Sequence, residues 1–288
     1  MARSVLQRAQ PLEQRREFEF TATDFTQLSE LVRRRAGINL TAAKEDMVYA
    51  RLSKRLRATG LASFRAYRQR VDEDGAELVH LINAITTNLT AFFREPHHFT
   101  HLQQVVIPDL MARDAGRRRL RIWSAGCSSG EEAYSIAMAL LEALPQPERW
   151  DIKILATDLD STMVARAEAG IYPLARLEGI GAARCRRWIQ RGVGCNQGLA
   201  RMAAELRGLI RFRQLNLMEP WPMRQPFDLI FCRNVVIYFD KPTQRRLFER
   251  YAQQLTPQGW LYIGHSESLH RVSERFVLRG KTIYQKAP

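Results

Sequence analysis

The chain has 288 residues, 45% of them hydrophobic, with 44 Lys and Arg against 30 Asp and Glu, so it carries a formal charge of +14 and can bury a substantial core. No apolar run approaches the ~20 residues of a membrane span, and Met1-Ala-Arg-Ser-Val-Leu-Gln-Arg lacks the apolar centre of a signal peptide; the expectation is a cytoplasmic protein with no membrane insertion. Cys127, Cys185, Cys195 and Cys232 are scattered without a C-x-x-C pair, which suggests neither a disulfide framework nor a zinc site.

From Thr23 to about Asn88 the apolar spacing is helical. Phe25, Leu28, Leu31 and Val32 make a stripe ending at Gly37, and Val48, Leu52 and Leu56 make one ending at Gly60. Phe64, Tyr67 and Val71, then Leu78, Leu81, Ile82 and Ile85, make two more, which predicts a small helical domain. On the second helix Arg51, Lys54 and Arg55 fall at i, i+3 and i+4 with no acid between Met47 and Thr59. Such a face is either a solvated surface or a dock for an acidic partner.

After Pro96, a good first helical residue, the pattern changes to strands alternating with helices, near Ile122, Ile154, Phe212, Leu229 and Leu261. That is the signature of a mostly parallel sheet. His97, His98 and His101 sit close together at the change, but no H-E-x-x-H pattern accompanies them, and no metal is expected.

The segment Arg121-Ile-Trp-Ser-Ala-Gly-Cys-Ser-Ser-Gly-Glu-Glu reads as a strand, a turn of six small residues and the start of a helix. Gly130 is followed by Glu131 and Glu132 where a phosphate loop needs Lys and Ser or Thr, and G-x-G-x-x-G is absent. Carboxylates at that place suit a nucleoside with a positive charge better than a triphosphate, although an ordinary tight turn would also look this way. The strand-like Asp151-Ile-Lys-Ile-Leu-Ala-Thr-Asp ends at Asp158, placed either to accept hydrogen bonds from ribose hydroxyls or to cap the helix starting near Ser161. Gly181, Gly192, Gly194 and Gly198 mark an excursion between Tyr172 and Arg213, and Phe276 to Tyr284 reads as a hairpin turning at Arg279-Gly-Lys.

The positive charge fits nucleic acid or an acidic protein surface. The basic residues are dispersed and lack interleaved aromatic side chains for base stacking, so nucleic acid is not the expected partner.

Five stretches in order, Thr87-Asn-Leu-Thr-Ala-Phe-Phe-Arg-Glu, Trp123-Ser-Ala-Gly-Cys-Ser-Ser-Gly-Glu-Glu-Ala-Tyr-Ser, Ala156-Thr-Asp-Leu-Asp, Phe227-Asp-Leu-Ile-Phe-Cys-Arg-Asn-Val-Val-Ile-Tyr-Phe and Gly264-His-Ser-Glu-Ser, resemble the CheR family of chemotaxis receptor glutamate O-methyltransferases. The likeness runs from about Phe20 to Tyr284. It implies a helical N-terminal receptor-docking domain over 1–90 and a Rossmann-like α/β S-adenosylmethionine domain over 91–288, with a small β-subdomain inserted at about 172–213. It implies S-adenosylmethionine as cofactor and S-adenosylhomocysteine as product, with Asn88, Thr90 and Arg94 at the methionyl part and Glu132 and Asp158 also at the cofactor. Asn216 and Leu217 would lie near the adenine, Arg233 and Asn234 at the strand end leading to the reaction centre, and Arg94 and Tyr238 match positions implicated in catalysis. Without the resemblance Tyr238 also reads as an aromatic completing the core. Cys127 departs from the family's small residues and raises the expectation of a thiol-sensitive site.

The implied partner is the acidic helical bundle of methyl-accepting receptors, which Arg51, Lys54 and Arg55 would align by complementary charge. Gly192-Val-Gly194 resembles family members whose β-subdomain docks a receptor C-terminal peptide by strand addition. A monomer is expected. The competing readings are an RNA methyltransferase and an adapter that binds the cofactor without turnover.

Overall fold

A computed structural model describes residues 16–113 and 118–288; the Met1–Arg8 stretch weighed above lies outside them. The expected apolar stripes become four helices: α1 (Ala22–Ala36), α2 (Glu45–Thr59), α3 (Phe64–Glu73) and α4 (Gly75–Ile85). Local chemistry sets their ends. Thr21 and Asp24 close a reciprocal capping box on α1, Ser63 accepts from Ala66 N at the start of α3, and Asp74 accepts from Ala76 N at the start of α4. Helices α1 and α2 stop at Gly37 and Gly60, as their sequence spacing predicts.

An irregular stretch then leads to α5 (His97–His101), which begins just after Pro96 and continues through a π turn over Leu102–Val106 into α6 (Ile107–Arg113). The α/β part follows as β1 (Arg119–Ala125), α7 (Glu131–Ala143), β2 (Asp151–Asp158) and α8 (Ser161–Ala169). Next come β3 (Ile171–Pro173), α9 (Ala182–Trp188), β4 (Ile189–Arg191), β5 (Leu199–Met202) and α10 (Ala204–Leu209). The chain closes with β6 (Ile210–Gln214), β7 (Phe227–Cys232), α11 (Lys241–Gln254), β8 (Leu255–Ile263), β9 (Phe276–Gly280) and β10 (Ile283–Lys286).

The main sheet has the order β6-β2-β1-β7-β8-β10-β9. Its first five strands are parallel, while β10 runs antiparallel to both β8 and β9, so the expected C-terminal hairpin forms the edge. This is the Rossmann-like α/β fold expected, preceded by an all-helical unit. Strands β3, β5 and β4 form a separate antiparallel sheet, the expected excursion; the span 172–213 also takes in β6, which pairs with β2 in the main sheet.

Alternation along the strands divides the core in two. Trp123, Ile230 and Leu261 face α11 and the helical domain, whose Leu28, Val48, Leu52 and Tyr67 belong to the same cluster. Ile122, Leu229 and Phe231 face the opposite way, onto Leu102, Ile136 and Leu140. The helical domain is therefore packed onto one side of the sheet through a shared apolar core.

The basic face on α2 requires a correction. Arg51 Nη1 donates to the carbonyls of Ala84, Ile85 and Thr86, capping the end of α4, and Arg55 donates to both oxygens of Glu77. The fold itself answers two of the three cations, and Lys54 is the one that stays exposed. The acid that meets Arg55 lies on a different helix, outside the Met47–Thr59 window.

Candidate active site

Strand order reverses at β1: β2 and β6 lie on one side, β7 and β8 on the other. A crevice opens at such a point beyond the carboxyl ends of the strands. A cavity of about 280 Å³ lies there, walled by the loops after β1, β2, β6 and β7 and by the helical domain through Ala36, Ile38, Met47 and Ile85.

The loop after β1 is held against β2, since Gly126 N and Cys127 N both donate to Thr157 O, at 2.8 and 2.9 Å. Gly126 has φ +101, and a Cβ there would lie 2.3 Å from Val235 Cγ2, so only glycine lets this backbone line the cavity. Two acids begin α7, and they face different ways. Glu131 pairs with Arg176 at 2.7 Å, whereas Glu132 lines the cavity, accepting from Ser124 Oγ at 2.7 Å and Arg233 Nη1 at 3.1 Å. Burial raises the pKa of Glu132 against the opposing charge of Arg233.

Asp158 ends β2 with its carboxylate accepting from Ser128 N at 2.7 Å and Asp160 N at 2.9 Å. Burial pushes its pKa up to about 6, although those two N–H groups favour the ionised form. It does not cap α8: Asp160 does, accepting from Thr162 N and Met163 N. Asp160 also takes Asn88 Nδ2 at 2.8 Å and Thr86 Oγ1 at 3.0 Å, which ties the segment after α4 to the strand ends.

Arg94 follows in that segment, its Nη1 donating to Leu89 O at 2.9 Å, and Arg233 Nη2 donates to Arg94 O. Tyr238 is half-buried in the cavity wall, packs against the shared core and carries Lys44 Nζ 5.0 Å from its ring centre. Packing against the core and lining the cavity are thus compatible at this position. Asn216 Nδ2 donates to Arg35 O at 2.6 Å, joining the β6 loop to the end of α1.

Asn88, Thr90, Arg94, Glu132, Asp158, Asn216, Leu217, Arg233, Asn234 and Tyr238 all line this one cavity. Arg51, Lys54, Arg55, Gly192 and Gly194 are not among its lining residues. Gly192 and Gly194 instead form the turn after β4, around an exposed Val193. Sequence reasoning missed Lys44 and the anchoring role of Asp160; the D-x-D pattern at 158–160 is the one local signal that two acids divide two tasks. The expected thiol sensitivity is also corrected. Cys127 is buried, and desolvation together with Asp158 holds its pKa well above that of a free thiol, so it stays protonated.

Of the expected histidine group, His101 turns to Tyr262, with Nδ1 2.8 Å from its hydroxyl. His97 and His98 instead gather with Glu95, one ligand-type atom from each lying within 4.8 Å of the others. The Arg233 guanidinium lies 3.5 Å from Glu95 Oε2.

Comparison with known proteins follows the same division of the chain. Residues 23–86 match the family described as CheR methyltransferase, all-alpha domain, and residues 88–285 match CheR methyltransferase, SAM binding domain. The chain is 47% identical to chemotaxis protein methyltransferase 2 of Pseudomonas aeruginosa, over 94% of its length and 95% of the relative's. It is 44% identical to the chemotaxis protein methyltransferase of Salmonella typhimurium, over 90% and 88% of the two chains. With that of Escherichia coli it shares 43%, over 90% and 89%.

Proposed function

The chain belongs to the CheR methyltransferase family, and on that premise we propose that it methylates glutamate γ-carboxylates of chemotaxis receptors, leaving methyl esters. It is a methyltransferase, and S-adenosylmethionine is its cofactor. The residues present fit that group: the bare backbone at Gly126, the acids Glu132 and Asp158, and the apolar Leu215 and Leu217 surround one cavity. We assign cofactor binding to Asn88, Thr90, Arg94, Glu132, Asp158, Asn216, Leu217, Arg233 and Asn234. Bound there, S-adenosylmethionine supplies a methyl carbon on a sulfonium, and S-adenosylhomocysteine is left.

The protein's own residues have a limited task. A glutamate carboxylate, with a reference pKa near 4.3, is already ionised at neutral pH, so no general base has to take a proton. What remains is to orient an anion and exclude water. Arg94 can hold one carboxylate oxygen by a charge-assisted hydrogen bond, and Tyr238 can fix an oxygen through its hydroxyl. The single observation that carries this reading is that Arg94 and Tyr238 line the same cavity as Asp158 and Glu132. A basic and a phenolic donor thus stand beside acids suited to a cationic cofactor.

The receptor supplies the partner in this proposal, with docking in the cytoplasm; among the described residues no helix is long and apolar enough to cross a membrane. Lys54 is the exposed cation of the α2 face available to an acidic bundle. Strand β4 is an edge of the three-stranded sheet, which supports strand addition by a receptor C-terminal peptide beside the Gly192-Val193-Gly194 turn.

The test is methyl transfer from labelled S-adenosylmethionine to receptor membranes and to total RNA. The expected result is label on receptor that base releases as methanol, because a carboxyl ester is base-labile. Label that stays on RNA, or that resists base, would refute the reading.

A further inference from the structure

Arg94 is flanked by two non-glycine residues in the left-handed region, Phe93 at φ 53° and Glu95 at φ 56°. L residues rarely adopt that conformation, and it persists where the surroundings over-determine it. Phe93 is held because its N–H donates to Ser135 Oγ at 2.9 Å and its ring packs edge-on to Phe99 at 5.1 Å. Glu95 is held through its side chain: Oε1 accepts from His265 N at 3.2 Å and lies 3.0 Å from His265 Nδ1. Its other oxygen, Oε2, lies 3.5 Å from Arg233 Nη2.

Arg233 is the hinge of this arrangement. Its side chain is 3% exposed, its Nη1 donates to Glu132, and its Nη2 donates to the carbonyl of Arg94 itself. A buried guanidinium needs compensating charge, and Glu132 alone is a weak source because burial raises its own pKa. Glu95 differs. Burial works against its charge, but the His265 hydrogen bond and Arg233 outweigh it and hold the carboxyl below its ordinary pKa.

We propose that Glu95 is a positioning residue for Arg94: its carboxylate fixes Arg233, and Arg233 clamps the Arg94 main chain so that the Arg94 side chain lines the crevice. This rests on the reading that Arg94 orients the substrate carboxylate. The competing role for Glu95 is as a cation ligand, since Glu95 Oε2, His97 Nε2 and His98 Nδ1 all lack hydrogen-bond partners. Arg233 opposes that role, because it already places a positive charge beside Glu95 Oε2.

The experiment uses the full chain and its Glu95→Gln, Glu95→Asp, His265→Ala and Arg94→Ala variants. It measures S-adenosylhomocysteine affinity by calorimetry, kcat and KM for methyl transfer to receptor membranes, and zinc content after dialysis against zinc chloride. Glu95→Gln is expected to lower kcat about tenfold or more, since small misplacements of an orienting group are costly, with product affinity within about threefold. Glu95→Asp should recover part of the loss. His265→Ala, a change at an exposed side chain, should lower kcat about threefold and keeps the test alive if Glu95→Gln does not fold. Wild-type kcat in both Glu95→Gln and His265→Ala, with Arg94→Ala impaired, would overturn the proposal, as would stoichiometric zinc that Glu95→Gln no longer retains. Full turnover by Arg94→Ala would instead sink the assignment of Arg94 on which it rests.

Discussion

Arg55 grips both oxygens of Glu77, Nε to Oε1 at 3.0 Å and Nη2 to Oε2 at 2.7 Å, and Tyr67 adds its hydroxyl to the same carboxylate at 2.8 Å. Glu77 is buried, so these three side chains link α2, α3 and α4 from within the helical domain. Glu77→Ala would leave a partly buried guanidinium and a buried phenol without their acceptor. The expected loss is about 3 kcal/mol in urea unfolding, the scale for breaking a buried pair. A loss below about 1 kcal/mol would show that water replaces the carboxylate.

Lys54, on the same helix, should behave in the opposite way. It is exposed, so Lys54→Glu is expected to change stability by no more than about 0.5 kcal/mol. If the receptor bundle docks on this face, the same change raises the KM for receptor and reduces its salt dependence, while product binding in calorimetry stays constant. Unchanged receptor kinetics over a salt series would remove Lys54 from the docking surface.

What the sequence made legible, and what it hid, follows the range of the interactions. The stripes of α1 to α4 and the strand-turn-helix around Gly126 were readable because period and small-residue runs are local. Glu132 and Asp158 were legible from the strand-turn-helix pattern, but the other eight cavity residues were legible only through motif likeness, since nothing in composition brings Asn88 to Asp160 or Asn216 to Arg35 across the chain. Two expectations were overturned, and one of the two readings open at Asp158 was removed. The basic face on α2 is met by Glu77, 22 residues away from Arg55. Asp158 is not the cap of α8, because Asp160 is, and Cys127 is buried within the core cluster on one side of the sheet. For the α2 face and for Cys127 parts of the chain distant in sequence decided the outcome, whereas at Asp158 the deciding residue stands two positions on.

Thiol chemistry should separate the four cysteines. Cys195 is exposed, Cys185 intermediate, and Cys127 and Cys232 are buried, with burial the first cause raising both buried thiols. With a coloured disulfide reagent at pH 8, Cys195 should react first and Cys185 more slowly, while Cys127 and Cys232 wait for denaturant. Fast modification of Cys127, located by peptide mapping, would show that the loop after β1 opens in solution.

Gly126 gives a steric test of the binding loop. Gly126→Ala places a methyl 2.3 Å from Val235 Cγ2 and retains a φ of +101° that alanine disfavours. Product affinity should fall by a factor of about ten to a hundred, judged by calorimetry, as the backbone withdraws from the cavity. Combining it with Val235→Ala relieves the clash but not the dihedral strain, so the double variant should recover only part of the affinity. Full recovery would mean that the clash alone set the cost.

The pKa of Asp158 gives two pH dependences of opposite sign. The folded carboxyl titrates at about 6 against 3.8 for the ordinary group, so the native state holds the proton more tightly than the unfolded chain does. The stability this group confers is full below about pH 4 and is lost as pH rises through 6, a cost on the order of 3 kcal/mol at neutral pH. Asp158→Asn should therefore unfold at higher denaturant than the parent at pH 7.5 and show a smaller difference at pH 4.5. If ionised Asp158 accepts the ribose hydroxyls, S-adenosylhomocysteine affinity must follow the other sign, strengthening as pH rises from 5 to 7. The Asn variant should bind weakly and lose that slope. Calorimetry at three pH values on both proteins measures it, and a parent affinity that is flat across pH 6 would dissociate Asp158 from the cofactor.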